Sequence, residues 1–412
     1  MKRKESLEGK KMSQPKIVVL GAGYAGLKTV KQLQKKNVNA EIILVNKNDY
    51  HYESTQLHEV AAGTEPAGKI TFKVEDVLDK NKVTFIEDTV TLVKKDEKKV
   101  VLAKKGEISY DYLVIALGFE SETFGIPGVN EFSKPLVDIK TAESCRAYLD
   151  NNLANYAKSK DEADLSIAVC GAGFTSIEYL GEITNRIPKL AEKLNFPKDK
   201  IKITCIEAMP TLLPMFSEKL GTYGIDVLKK RGVNFIVGTP IKEIKENTVV
   251  YEQEGELKEL TANTVIWTTG VRGSAVVGES GFDERRGRVV VESDLSVAGF
   301  PEVFMIGAVS AVMDGDSGRP FPTTAQIALQ QGAYLGNALA AKLNNQSVEA
   351  FTYKPLGTVA SIGNNVGLGN VMGKEVKGYI GSIMKKNIIN KSLVTTGGTK
   401  TLLKKGRFDY YH

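Results

Sequence analysis

Short runs of β-branched residues alternate along the chain with stretches whose apolar positions recur every three or four residues, and the same succession occurs twice. Lys16-Ile17-Val18-Val19-Leu20 predicts a buried strand, and Leu27, Val30 and Leu33 predict a helix behind it. Leu165-Ser166-Ile167-Ala168-Val169-Cys170 predicts the second such strand, with Ile177, Leu180 and Ile183 on the helix that follows. Residues 82–86, 90–93 and 99–102 predict close-spaced strands of a small antiparallel layer, and 110–117 a buried strand running into Gly118. The second unit repeats this with strands at 233–237 and 248–251, then a strand over 264–269 running into Gly270. A third such junction, 303–306 followed by Gly307 and Ala308, leads to a helical stretch through Leu329, Leu335 and Leu339.

A repeated strand–helix plan with inserted antiparallel strands predicts an α/β fold of two Rossmann-like dinucleotide-binding domains, the second inserted in the first. The expected bounds are a disordered leader over 1–14, a discontinuous first domain over 15–160 and 286–349, a second over 161–285, and a C-terminal region over 350–412.

The turns between strand and helix carry the chemistry. Gly21-Ala22-Gly23-Tyr24-Ala25-Gly26 and Gly171-Ala172-Gly173-Phe174-Thr175-Ser176 each stand directly after a strand and open a helix. The first glycine permits the sharp turn, the second lets the backbone approach a pyrophosphate, and the third, replaced by the small Ser176 in the second copy, lets helix pack on strand. The helix N-terminus then offers N–H groups to the phosphates. At the end of the next strand Glu207 can accept both ribose hydroxyls and repel a 2′-phosphate, which favours NADH over NADPH; Asn46 stands there in the first copy, without a charge.

Composition narrows the chemistry. The three cysteines, Cys145, Cys170 and Cys205, form no CxxC pair, and the three histidines, His51, His58 and His412, have no metal-ligand spacing, so no metal site is expected. The net charge of +6 is concentrated in the tail, where nine basic residues face two acids from Lys374 onward. That placement suits an anionic surface touched by one end of the molecule rather than nucleic acid gripped along the body. No apolar run approaches the roughly 18 residues of a membrane span. The basic start Met1-Lys2-Arg3-Lys4 is followed by polar residues, unlike a secretory signal, and Met12 is an alternative start.

In order, GAGYAG, YDYLVIALG, CGAGFTSIEYLGE, VIWTTG and FMIGAVSA resemble the two-dinucleotide-domain flavoprotein disulfide-reductase superfamily. NKNDYHYESTQLHE, GFESETFGIPG and above all FPTTAQIALQQG are similar to the type II NADH dehydrogenases, single-subunit NADH:quinone oxidoreductases of respiratory membranes. The resemblance runs from Lys16 over nearly the whole chain. It implies non-covalent FAD at Gly21, Gly23, Tyr24, Ala25, Gly26, Asn46, Lys47, Ala116, Gly118, Gly307, Ala308, Thr324, Ala325 and Gln326. It implies NADH at Gly171, Gly173, Phe174, Thr175, Glu178, Glu207 and Gly270, with Glu178 placing the nicotinamide or supplying a proton. It implies a quinone, of menaquinone or ubiquinone type, at Gln326, Ile327 and Gln330; the i, i+4 spacing of the two amides would aim both at one side of a helix. A homodimer and a non-proton-pumping respiratory role belong to the same resemblance. One departure stands out: the superfamily has aspartate after Gly307, where Ala308 cannot bond the flavin's ribityl chain.

The tail completes this picture. Val376, Tyr379, Ile380, Ile383, Met384 and Ile388 recur at helical spacing, with Lys377, Lys385, Lys386 and Lys391 at the margins, and Leu402-Leu403-Lys404-Lys405 repeats apolar beside basic. A basic amphipathic helix of this kind lies in a membrane interface, so the expected location is peripheral, on the cytoplasmic face of the cell membrane. Two rival readings stay open here: a soluble reductase that passes electrons to an iron–sulfur protein, and a non-catalytic nucleotide-sensing module.

Overall fold

The computed structural model describes residues 14–409, so the expected leader, apart from Gln14, and His412 lie outside the described residues. The first parallel sheet has the spatial order Ser296–Val297, Phe300–Met305, Tyr112–Ile115, Lys16–Leu20, Glu41–Asn46, Val83–Glu87, with Ser296–Val297 alone running antiparallel to its neighbour. The second has the order Lys134–Pro135, Thr264–Trp267, Ser166–Cys170, Lys202–Glu207, Val233–Val237, all parallel. The five parallel strands of the first sheet correspond to the five of the second, and the antiparallel edge strand Ser296–Val297 has no counterpart. The inner strands of both sheets, such as Lys16–Leu20 and Ser166–Cys170, are almost continuously buried, as a sheet covered on both faces requires. Each unit also carries a three-stranded antiparallel layer, Val90–Lys94 with Lys99–Leu102 and Gly106–Ser109, and Ile241–Lys245 with Thr248–Gln253 and Glu256–Thr261.

Several expectations shift. Val83–Glu87, expected in the antiparallel layer, pairs in parallel with Glu41–Asn46, because Val83, Phe85 and Ile86 suit the edge of a sheet clad on both sides. Val233–Val237 does the same in the second unit. Lys134–Pro135, within the span expected of the first domain, pairs with Ile266 and Trp267 of the second sheet. Behind it the helix Ile139–Ser159 sends Ala142, Cys145, Leu149 and Leu153 into the second unit's core. Those four recur at helical spacing, a stripe that the strand pattern of the region does not announce.

The helix Ala325–Leu343 closes the first unit by packing along the first fingerprint helix, Tyr24–Lys36. Gly332 and Gly336 make the close approach possible: a Cβ on Gly332 would press on the Ala25 carbonyl, and one on Gly336 would lie 2.9 Å from Thr29 O. Past it, Gly357–Ser361, Gly367–Val371 and Lys374–Lys377 form an antiparallel sheet, and the helix Gly378–Lys405 follows, broken at Gly398 (φ 79°). Val376, expected on the helix, is therefore in a strand.

Candidate active site

Both glycine turns are shaped by backbone crowding on one side and open space on the other. Gly21 (φ +99°) and Gly171 (φ +95°) have the left-handed backbone that favours glycine. A Cβ at Gly21 would strike the Ala116 carbonyl, and one at Gly26 would strike Gly21 itself. Gly23 and Gly173 differ in kind. Each is the extended N-cap residue of its helix, with nothing within 4 Å of where a Cβ would stand and no side-chain cap on the helix. The first N–H groups of two helices thus face two open cradles, which fit the diphosphates of two dinucleotides.

The strand-end residues hold these turns as well as facing the cradles. Asn46 Oδ1 accepts the Ala22 N–H at 2.9 Å while its Nδ2 donates to Asn48 O at 2.8 Å. Glu207 does the equivalent with charge: Oε2 accepts the Ala172 N–H at 2.7 Å and Oε1 the Met209 N–H at 2.8 Å. Ser176, in the place of the third glycine, packs without exposure and bonds Thr268 Oγ1 at 2.6 Å. Phe174 packs edge-on to Phe216, Thr175 is exposed, and Gly270 lies against the Phe124 ring.

Among the residues expected around FAD, Ala116 is buried and Gly118 (φ +77°) opens onto free space. Lys47 directs its ammonium to Asp138, 3.3 Å away, at the N-cap of the helix Ile139–Ser159. Thr324 caps the helix Ala325–Leu343 by accepting the Ile327 N–H at 3.3 Å. Ala308 sits in the short turn Gly307–Val309. That junction has a support that the sequence reading missed: Gln331, 1% exposed, accepts the Gly307 N–H at 2.7 Å and donates to Ser310 Oγ at 2.9 Å.

The two helix amides already have partners within the chain. Gln326 and Gln330 do share one side of the helix, but that side is covered by the segment 353–357. Gln326 Oε1 accepts from Tyr353 Oη at 2.9 Å and Leu356 N at 2.7 Å, and Nε2 donates to Gly357 O at 3.1 Å. Gln330 exchanges bonds of 2.9 and 3.0 Å with the backbone of Lys354. The two amides thus tie the backbone of residues 354, 356 and 357 to the helix, leaving one Nε2 N–H of each for another acceptor. Ile327 is buried.

Glu178 lies at a junction of three segments. Its Oε1 is 2.7 Å from Lys385 Nζ on the C-terminal helix and accepts the Ser361 N–H at 3.0 Å; its Oε2 is 3.4 Å from His58 Nδ1. Burial pushes the carboxyl up, yet Lys385, His58 and the Ser361 N–H outweigh it and hold Glu178 below the usual carboxylate range. His58, 3% exposed, is pushed down from 6.5 to about 4, first by burial and then by the charges of Lys385 and Arg407, against the pull of Glu178. At neutral pH the contact is therefore between a carboxylate and a neutral imidazole, although its distance alone would pass for an ion pair. Neither His58 nor Lys385 is near Glu178 in sequence, and no local pattern marks them.

The tail turns part of its charge inward, which corrects the expectation that Lys385 and Lys386 flank an outward stripe. Lys385 is on Glu178, Lys386 is 3.1 Å from Asp409, and Arg407 pairs with Glu59 and Glu65. Half of the apolar stripe faces out: Ile380 is 63% exposed and Tyr379 and Ile388 are exposed, while Val376, Ile383 and Met384 are half-buried; Val394 is exposed as well, and beyond the Gly398 break Leu403 reaches 78%. Lys374, Lys377, Lys391, Lys400 and Lys404 are exposed around it. The inward side carries Gly381, Ser382, Ile389, Leu393 and Thr396. Among the described residues no helix is long and apolar enough to cross a membrane.

Two open helix N-termini in two repeated parallel-sheet units fit the class of proteins built from two dinucleotide-binding domains. The family model for pyridine nucleotide-disulphide oxidoreductases matches residues 15–332. The type II NADH:quinone oxidoreductase of Staphylococcus aureus (strain NCTC 8325 / PS 47) is 46% identical over 397 residues, 95% of this chain and 98% of that protein. The chain belongs to the pyridine nucleotide-disulphide oxidoreductase family and, within it, to the type II NADH:quinone oxidoreductases. Among solved structures, NDH2 of Plasmodium falciparum in complex with NADH shares the fold with a TM-score of 0.85 at 19% identity, over 95% of this chain and 97% of that one. The sulfide:quinone oxidoreductase of Aquifex aeolicus does so with a TM-score of 0.77 at 19% identity, over 97% of this chain and 96% of that one.

Because Gly23 and Gly173 both have φ near −72° and empty space ahead, Gly23→Ala and Gly173→Ala should fold normally while placing a methyl group in a cradle. Ultrafiltration should show FAD loosened in Gly23→Ala alone, and NADH binding should weaken in Gly173→Ala alone; the opposite pattern would reverse the assignment.

The depressed His58 value sets a pH dependence. The unfolded chain takes up this proton as pH falls below about 6.5 and the folded one resists until about 4, so stability should fall across that window by up to about 3 kcal/mol. Denaturant midpoints measured from pH 7 to 4.5 should drop more steeply in the native chain than in His58→Gln, and parallel curves would contradict the burial argument.

Proposed function

We propose that this chain is a peripheral membrane NADH:quinone oxidoreductase acting as a homodimer on the cytoplasmic face of the cell membrane. The observation that carries the choice of acceptor is the state of the cysteines. Cys145, Cys170 and Cys205 are all buried, and burial pushes the first two thiols up to about 12 and the third well above its usual range. Such thiols are inert. Two electrons taken from NADH therefore have no protein disulfide to enter, and a quinone dissolved in lipid suits the exposed apolar face of Gly378–Lys405.

When bound, FAD supplies a hydride acceptor for NADH and a two-electron donor for the quinone. The protein's part is to position and to shield. The helix N-terminus behind Gly23, with the turn fixed by Asn46, receives the FAD diphosphate; the one behind Gly173 receives that of NADH. Glu207 accepts from the ribose hydroxyls with its remaining lone pairs and repels a 2′-phosphate. The overall reaction, NADH + H⁺ + quinone → NAD⁺ + quinol, takes one proton beyond the hydride. Glu178, kept ionised by Lys385 and bordered by His58, is the buried group assigned to place the nicotinamide or to pass that proton on without retaining it. Gln326 and Gln330 shape the acceptor side by fixing the segment 353–357, and offer one N–H each toward a quinone carbonyl. The homodimer and the membrane face rest on the family resemblance. A soluble iron–sulfur reductase would leave the outward apolar stripe without a purpose.

The test separates membrane contact from chemistry. Ile380→Glu with Ile388→Glu should cut sedimentation with phosphatidylglycerol vesicles by about tenfold or more, since each isoleucine buried in lipid is worth roughly 1.5–3 kcal/mol. Bleaching of bound FAD by NADH and turnover with a water-soluble quinone should persist. Unchanged sedimentation would place the membrane contact elsewhere, and no turnover with any quinone would refute the function.

A further inference from the structure

Glu53 has no exposed surface. Among the described residues its one ion-pair partner is His51, whose Nε2 lies 3.6 Å from Oε1, too far for a hydrogen bond. Three hydroxyls satisfy the carboxylate instead. Tyr24 Oη donates to Oε2 at 2.9 Å and Ser392 Oγ to the same oxygen at 2.7 Å, while the one hydroxyl proton of Thr396 is shared between Oε1 at 3.2 Å and Ser392 O at 2.9 Å. Burial and the charge of Glu53 push the Tyr24 phenol well above its usual range, so it stays a donor.

These contacts join two distant parts of the chain. Tyr24 is the first residue of the fingerprint helix, directly after Gly23. His51 Nδ1 bonds Ala22 O at 2.8 Å and the ring stands edge-on to Tyr24, with Phe72 against its other side. Both flanks of the glycine turn are thus tied to the strand Tyr50–Tyr52 and to Glu53. Ser392 and Thr396 lie one turn apart on the C-terminal helix, and Lys31 of the fingerprint helix donates to Thr396 O at 2.7 Å. None of these links is needed to build the turn itself, which Gly21, Gly26 and Asn46 already shape.

We propose that Glu53 is a positioning residue for the flavin site: it clamps the Ala22–Tyr24 turn to the C-terminal helix, so that retention of FAD depends on Ser392 and Thr396. This rests on the reading of the first turn as the seat of the FAD diphosphate. A polar cluster in low-dielectric surroundings holds its members in one geometry only while every partner is present. Removing the hydroxyls of the C-terminal helix leaves Glu53 buried with Tyr24 and His51 alone, and the turn gains freedom on the side where the phosphates bind.

The double variant Ser392→Ala/Thr396→Val tests this in the full-length holoprotein without touching the turn, and Glu53→Gln, which keeps shape and can bond His51 Nε2, is the conservative companion. The fluorescence of released flavin should report FAD dissociation about tenfold faster in the double variant, the loss expected of one or two buried hydrogen bonds, and a smaller effect in Glu53→Gln. NADH affinity of the second cradle should not move. FAD release unchanged in both, while Gly23→Ala still loosens FAD, would overturn the clamp and leave the seat intact. No effect even in Gly23→Ala would show the seat itself to be misassigned. Parallel loss of FAD and NADH affinity would also overturn the proposal, because it would mark general destabilisation.

Discussion

Two helix N-termini that keep their N–H groups unpaired are the constraint around which this molecule is arranged. An uncapped helix end buried without a partner is costly, and here each is left facing open space behind an extended glycine. Everything nearby keeps the two ends open and rigid. The first glycine turns the chain under a neighbouring strand, the strand-end Asn46 or Glu207 takes the next N–H, and the parallel sheet supplies a fixed base. The preference for two anionic cofactors follows from this geometry before any side chain contacts a base or a ring.

The C-terminal segment links those cradles to the outer surface. It contributes Lys385 to Glu178 on the second fingerprint helix, Ser392 and Thr396 to Glu53 beside the first, and Arg407 to Glu59 and Glu65. Its basic residues therefore divide into an inward set paired with acids and an outward set that surrounds exposed isoleucine, tyrosine and leucine. A single segment so divided stays tied to both nucleotide units while leaving a basic and apolar face exposed.

The strand–turn–helix units were legible because their signal is local: β-branched runs, three small residues in six, and apolar positions at helical spacing. Boundaries were less so. Val83–Glu87 and Lys134–Pro135 join sheets whose other strands are distant in sequence, and pairing partners leave no trace in a short run. The tail shows the same limit. Helical spacing told which residues of Gly378–Lys405 share a face, but not which face packs; that was decided by Gly381, whose lack of a side chain admits the backbone of Gly367. Hence Lys385 and Lys386 turned inward. The amides of Gln326 and Gln330 were correctly placed together, yet the segment that covers them could not be read from the helix alone. Glu53, Gln331, His58 and Arg407 were missed because a buried polar residue is recognised by partners that only the fold brings near.

The central claim is that two dinucleotides are held at once, in separate cradles, and the most direct measurement is an anaerobic titration of FAD-loaded protein with NADH followed by ultrafiltration. The account predicts that flavin absorbance bleaches stoichiometrically while FAD stays in the protein fraction. FAD appearing in the filtrate as NADH is added would mean that both compete for one cradle, and retention of FAD without bleaching would mean that the second cradle does not bring NADH to the flavin; either result would contradict it.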